Sequence, residues 1–299
     1  MSSLFSVPLI LGTGGRLGRQ AETTLSRLYP ATIAATRAEI DITDYFRMRG
    51  ELERLEPTLV INCAAASGVD VCERQPDLAV RVNSDGAANA ARACREVGAR
   101  FIHVSTDQVF DGNKGSPYLE DDIPRPISKY GASKLEGERR VLKEFPEALV
   151  VRTSWLFGPC GGDFVEHVLE EARARHSLSG VTDQVASPTY TPDLIQALLL
   201  LAEIPTHGVI HFVNGGTCNR FDFACQVAEA AGLEGGLQRV QLRWKDLGFP
   251  ASRPSYSALS TTRYRSITSR EPRDWKEALA EQFTTSPPGR AAPGWQAPT

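Results

Sequence analysis

The chain has 299 residues, 33 basic and 36 acidic side chains for a net charge of −3, and 41% hydrophobic residues. That length suits one large α/β domain or a nucleotide-binding domain with a smaller lobe, and the scattered, slightly acidic charge excludes the basic field that nucleic acid demands. The six cysteines (Cys63, Cys72, Cys94, Cys160, Cys218 and Cys225) form no C-x-x-C pair and the five histidines no neighbouring ligand set; the expectation is free thiols, no metal and a cytoplasmic protein, with no membrane or nucleic-acid partner.

Val7–Leu11 reads as the first strand, with Pro8 at or near its start because proline cannot donate within a central ladder. Gly12-Thr-Gly-Gly15-Arg16-Leu17-Gly18 follows at once and leads into a helix-compatible stretch. Glycines so placed permit a tight turn, let backbone approach a pyrophosphate and let helix and strand pack closely, with the helix amino terminus aimed at the phosphates. The competing reading is a glycine-rich turn without a ligand.

The next strand, Thr32–Thr36, ends at Arg37 with no carboxylate at the strand end. An acid there would hydrogen-bond the ribose diol of NADH and repel a 2′-phosphate. NADPH is therefore slightly favoured over NADH, unless Arg37 simply faces solvent.

Thr58–Asn62, Phe101–Ser105 and Ala148–Arg152 complete a run of short strands with helical patterns between them. This alternation predicts α/β architecture, a Rossmann-type doubly wound parallel sheet covered on both faces. After Trp155 the pattern is more interrupted. It gives Gly-Pro-Cys-Gly-Gly, a helix over Phe164–Arg175, a turn through Ser187-Pro-Thr189, a helix from Pro192 to Glu203, a strand over Val209–Val213 and a helix from Phe221 to Ala231. The expected organisation is a nucleotide-binding domain over 1–155, a mainly substrate-binding lobe over 156–283 that is open to interleaving with it, and a disordered Pro/Gly-rich tail over 284–299.

Tyr130-Gly-Ala-Ser-Lys134 opens a helical stretch, and its i,i+4 spacing puts phenol and ammonium on one face. A fixed ammonium is expected to lower the phenol's pKa toward that of a working general acid, while the lysine also reaches the cofactor ribose. The alternative is a surface pair on a solvated helix. Upstream, Ser105-Thr106-Asp107 ends a strand at the carboxyl edge of the sheet. There Thr106 could donate to a substrate carbonyl as Tyr130 protonates its oxygen, or the cluster could be a local cap.

These segments together resemble the extended short-chain dehydrogenase/reductase family, and within it the dTDP-4-dehydrorhamnose reductases. The resemblance runs in order along nearly the whole chain through 62–70, Val82-Asn83, 105–112, 130–134, 152–158, 183–190 and Arg253-Pro254. It implies NAD(P)H-dependent reduction of the 4-keto group of a nucleotide-linked 6-deoxysugar. Thr106, Tyr130 and Lys134 match the catalytic residues. Gly12, Gly15, Gly18, Asp41, Ile42, Ala64, Ala65 and Ser67 match cofactor contacts, with Arg16, Leu17 and Arg37 beside them. Val69 and Trp155 match residues bordering the sugar, with Asp107 next to Thr106; a core tryptophan is the alternative for Trp155.

Two aromatics of that family's substrate region are replaced here by Gln108 and Ala66, and Leu259-Ser260 stands where the family has Leu-Asp. Dehydratases of the same fold carry an acid at the position of Gln108, and an amide cannot serve as acid or base near neutrality. A C4 epimerase stays open, as do a homodimer and a non-catalytic nucleotide-binding subunit resembling the beta subunit of methionine adenosyltransferase.

Overall fold

The computed structural model describes residues 5–233 and 235–285. Its centre is a sheet of six parallel strands: β1 (Pro8–Leu11), β2 (Ile33–Ala35), β3 (Leu59–Asn62), β4 (Arg100–Thr106), β5 (Leu149–Thr153) and β6 (Gly208–His211). The spatial order is β6-β5-β4-β3-β1-β2, so the direction in which successive strands are added reverses between β1 and β3. A crevice opens above their carboxyl ends at that reversal, where open α/β sheets take ligands.

Side-chain alternation explains why both faces are covered. Ile10, Ile61, Ile102 and Val151 join one apolar cluster, packed by α1 (Arg16–Leu28) and by the helix Thr191–Glu203. Leu9, Leu11, Val60, Phe101 and Val150 join the other, packed by α2 (Tyr45–Leu55), α3 (Ala87–Val97) and α4 (Lys129–Glu144). Strands buried on both sides read as continuous aliphatic runs for this reason. Pro8 is the first residue of β1, as expected from its missing donor.

A third cluster, built on Phe157, Val165, Leu169, Tyr190, Phe223 and Trp275, lies in the second half of the chain. It involves the helices Phe164–Arg175, Arg220–Ala230 and Trp275–Thr285. The strand expected over Val209–Val213 instead runs Gly208–His211 and pairs with β5, so the second half contributes an edge to the central sheet. Of the tail expected to be disordered, Thr284 and Thr285 close the last helix, and the rest lies outside the described residues. Among the described residues no helix is long and apolar enough to cross a membrane.

Candidate active site

The crevice is a cleft of about 740 Å³, within the range of small-molecule sites. Every catalytic, cofactor or sugar-site candidate that the sequence named lines it except Gly18, which is buried in the first turn of α1. At the β1 exit Gly12 has φ +85°, and a Cβ there would lie 2.6 Å from the backbone N and Cα of Ala64. Only glycine permits that approach of the β1 and β3 exits. Gly15 caps α1 with backbone alone, so no side chain blocks the helix amino terminus. An anionic pyrophosphate suits that terminus.

Arg16 turns away from this terminus. Its Nε and Nη1 donate to the carbonyls of Gly161 and Leu156, each at 3.1 Å, and Nη2 donates to Gly162. It ties the glycine-rich loop to the second half of the chain. Arg37 is mostly exposed and ion-paired with Asp41 at 3.0 Å. Burial alone would raise the Asp41 pKa, but hydrogen bonds from Thr43 and Arg37 outweigh it and leave the carboxyl below its ordinary value.

The rim also carries an acidic side chain that the sequence reading did not weigh. A carboxylate does reach the end of β2, because Glu39 folds back to accept from both the backbone N and the hydroxyl of Thr36 at 2.7 Å. Spacing alone hides it, since the contact depends on the turn that follows the strand.

The loop Ala64–Ser67 is held from behind. Asn83 sits in a π-helical segment, Val80–Gly86, and accepts from Ala66 N at 2.8 Å while donating to Ala66 O at 3.0 Å. Wide helical turns of this kind often occur at functional sites. Val69 begins the short helix Val69–Arg74, which Asp70 latches to the chain's later part through Arg253 Nη2 at 2.6 Å and Ala251 N at 3.2 Å.

Tyr130 and Lys134 project from α4 into the cleft. Gly131 makes this placement possible, because a Cβ there would come within 3.0 Å of the Gln108 carbonyl carbon and of Pro126 Cβ. The helix start therefore rests directly on the turn that carries Thr106.

The electrostatics reverse the expected sign at the phenol. Burial raises the Tyr130 pKa above the ordinary tyrosine value, while hydrogen bonding with Thr106 pulls it back only in part. Burial also lowers Lys134, to about 8, against the opposing pull of Glu138. Desolvation disfavours both charged forms at once.

Of the two roles that the sequence left open for Thr106 and Asp107, the structure shows the local cap. Thr106 Oγ1 caps a short 3-10 turn by accepting from Gln108 N at 3.1 Å, and it donates to Asp107 Oδ1 at 3.0 Å. Asp107 also accepts from Ser154 at 2.9 Å and Ser257 at 2.5 Å. Its carboxylate thus braces the site while its residue lines it; burial raises its pKa against the lowering effect of those hydroxyls.

Trp155 carries a left-handed backbone, φ +38°, a strained state for a bulky residue and a frequent mark of functional positions. Arg220, which the sequence reading missed, stacks 3.6 Å over its ring and 4.8 Å over Phe164. Its guanidinium lines the cleft, makes no ion pair with a carboxylate of the described residues, and is lowered by burial to about 10. Nothing local in Cys-Asn-Arg220-Phe signals this; the fold brings it back. Gln108 Oε1 is buried with no hydrogen-bond partner among the described residues, in the same wall.

Comparison with known proteins decides the family, for residues 8–286 match the RmlD substrate binding domain. The chain belongs to that family. It is 41% identical over 281 residues to a dTDP-4-dehydrorhamnose reductase of Mycobacterium tuberculosis, covering 91% of this chain and 90% of that one. It is 37% identical over 275 residues to the spore coat polysaccharide biosynthesis protein SpsK of Bacillus subtilis, covering 91% and 95%. In structure it resembles the dTDP-4-dehydrorhamnose reductase of Bacillus anthracis, solved in complex with NADP, with TM-score 0.90, 33% identity and coverage of 93% and 99%. The expected membership and Rossmann-type architecture both hold.

Proposed function

We propose that this RmlD-family chain is an NADPH-dependent reductase of the 4-keto group of a dTDP-linked 6-deoxysugar, with dTDP-4-dehydrorhamnose the preferred substrate and dTDP-L-rhamnose the product. The observation that carries it is the convergence of Thr106, Tyr130 and Lys134 with a glycine-lined phosphate loop in one cleft. Relatives named for this activity match nearly the whole chain.

The residues fit a dinucleotide. Gly12 leaves space where a Cβ would close the β1 and β3 exits together, and the uncapped α1 terminus offers backbone N–H groups to phosphate. Ala64, Ala65 and Ser67 would flank it, with Asp41 and Ile42 at the adenosine end and Lys134 at the ribose near the reacting carbon. When bound, the nicotinamide supplies the hydride.

The chain's own residues do the rest. Tyr130, with its pKa held high, keeps its proton near neutrality and gives it to the carbonyl oxygen as that oxygen becomes an alkoxide. Thr106 orients the same oxygen by turning its single hydroxyl proton from Asp107 Oδ1 to it. Trp155 and Val69 wall the deoxysugar. Gln108 offers an amide at the wall where a dehydratase needs an acid, which favours simple reduction. The free cysteines suit a cytoplasmic setting.

The test is consumption of NADPH by the purified chain when given the dTDP-4-keto-6-deoxyhexose formed in situ from dTDP-glucose. Tyr130→Phe is expected to lose at least about two orders of magnitude in turnover. Undiminished turnover in that variant, or no sugar-dependent oxidation by the wild type, would overturn the reading.

A further inference from the structure

A buried line of hydrogen bonds runs from the β3 exit to the catalytic lysine. Ala64 N donates to Asn62 Oδ1 at 3.0 Å, and Asn62 Nδ2 lies 3.1 Å from His103 Nδ1. His103 Nε2 in turn lies 3.1 Å from Lys134 Nζ, which also donates to the Val104 carbonyl at 2.7 Å. Asn62 and His103 are fully buried, and neither lines the cleft. Their contact with the cleft's titratable groups is through Lys134.

Donors and acceptors dictate the direction of this line. A backbone N–H can only donate, so the Asn62 atom facing Ala64 is the carbonyl oxygen and the atom facing His103 is the amide nitrogen, a donor. The ring nitrogen that meets that donor must be bare. The proton of the neutral imidazole then sits on Nε2 and points at Nζ, where only the lone pair of an uncharged amine can accept it.

We infer that Asn62 and His103 are positioning residues that lock the charge of Lys134 to the tautomer of His103: the neutral amine goes with Nε2–H, and the ammonium with Nδ1–H. Passing from the first state to the second takes one proton from solvent onto Nζ and moves the ring proton from Nε2 to Nδ1. The Asn62 amide must turn over to accept from Nδ1–H. That turn withdraws the acceptor from Ala64 N, a residue that lines the cleft. The charge of the lysine is thereby tied to the hydrogen bonding of the loop beside the phosphate site.

The surroundings agree. Lys134 is faced by Glu138 from its own helix, His103 from β4 and Cys63 just beyond β3. Glu138 is drawn off by Arg152 of β5 at 2.7 Å, and burial keeps Cys63 a neutral thiol with its pKa pushed up to about 12. Burial lowers His103 well below the usual imidazole value, so the ring changes tautomer without gaining charge.

The catalytic consequence rests on the reductase reading; the structural claim is tested on the protein alone. With the histidines labelled by ¹⁵N and His103 assigned by replacing the other histidines one at a time, its ring signals are followed from pH 6.5 to 9.5 by NMR. The expected result is a bare Nδ1 at high pH and a bare Nε2 at low pH, with the exchange centred on the titration of Lys134. One tautomer throughout, or a doubly protonated ring, would overturn the proposal.

Asn62→Asp supplies a second test, because a carboxylate only accepts and holds Nδ1–H. If the lysine must be charged to act, kcat/KM falls as pH rises through its titration, and this variant should move that falling limb upward by about one pH unit or more. A limb left in place in a folded variant would also overturn it, as would a His103 ring that keeps its proton on Nε2 in that variant, because an added carboxylate can move the limb by charge alone without fixing the tautomer. If the variant does not fold, the wild-type spectra decide. Absence of turnover, by contrast, would count against the reductase reading and leave the tautomer result standing.

Discussion

Glu138 and Arg152 meet as a bidentate ion pair, Nε to Oε1 at 2.9 Å and Nη2 to Oε2 at 2.7 Å, with each side chain only 3% exposed. Glu138 lies one helical step beyond Tyr130 and Lys134 on the same face of α4, and it accepts from Ser105 at 2.5 Å. The pair therefore registers α4 against β4 and β5. Glu138→Gln leaves a buried guanidinium without its partner and should destabilise by about 3–5 kcal/mol, measured by chemical denaturation. Replacing both residues with apolar side chains of similar volume should recover most of that loss.

Gly131→Ala puts a methyl group against the Gln108 carbonyl and should push the start of α4 away from Thr106. A stability loss of about 1–3 kcal/mol is expected from overpacking. The diagnostic result is a disproportionate fall in kcat, because a small misplacement of reacting groups can cost about 100-fold in rate.

Arg220→Met keeps apolar contact with Trp155 and Phe164 but removes the charge from the cleft. A charge-assisted hydrogen bond contributes about 1.5–3 kcal/mol. The KM for the sugar nucleotide should accordingly rise about tenfold or more, with the KM for NADPH nearly unchanged. Steady-state kinetics with each substrate varied in turn separates the two.

At the rim beside Arg37, Glu39→Gln removes a carboxylate held against Thr36, where it would oppose a 2′-phosphate of bound NADPH. The ratio of kcat/KM for NADPH over NADH should rise several-fold. Arg37→Met should lower the same ratio, by a modest factor because the guanidinium is solvent-exposed and shared with Asp41.

Acid should unfold the protein partly through its buried histidines. His211 is lowered by burial and by the nearby Arg152 to about 3, below the value near 6.5 that it regains when unfolded. It is neutral in the native state, so the unfolded chain binds the extra proton as pH falls. Its stabilisation is complete above about pH 6.5 and is lost progressively below it, at up to about 1.4 kcal/mol per pH unit. His103, lowered in the same direction, adds to that slope. Denaturation midpoints at pH 7 and pH 5 should differ accordingly, and His211→Gln should flatten the dependence.

The sequence by itself determined the elements and the chemistry that each strand end carries. Short aliphatic runs such as Leu9-Ile-Leu and Leu149-Val-Val read as doubly buried strands because their alternate side chains face opposite layers. Gly12, Tyr130 and Lys134 could be named from local spacing, since turns and helix faces depend on residues only a few positions apart.

Only the tertiary structure decided which distant groups meet and what burial does to them. Asn62, His103 and Lys134 are separated by 41 and 31 positions, and their contact exists because β3, β4 and α4 pack together. Arg220 reaches Trp155, and β6 reaches β5, by the same return of the chain. The sign of the Tyr130 shift was likewise beyond spacing: a lysine four residues away promises a lowered phenol pKa, but desolvation depends on the three-dimensional surroundings of both groups, and here it dominates.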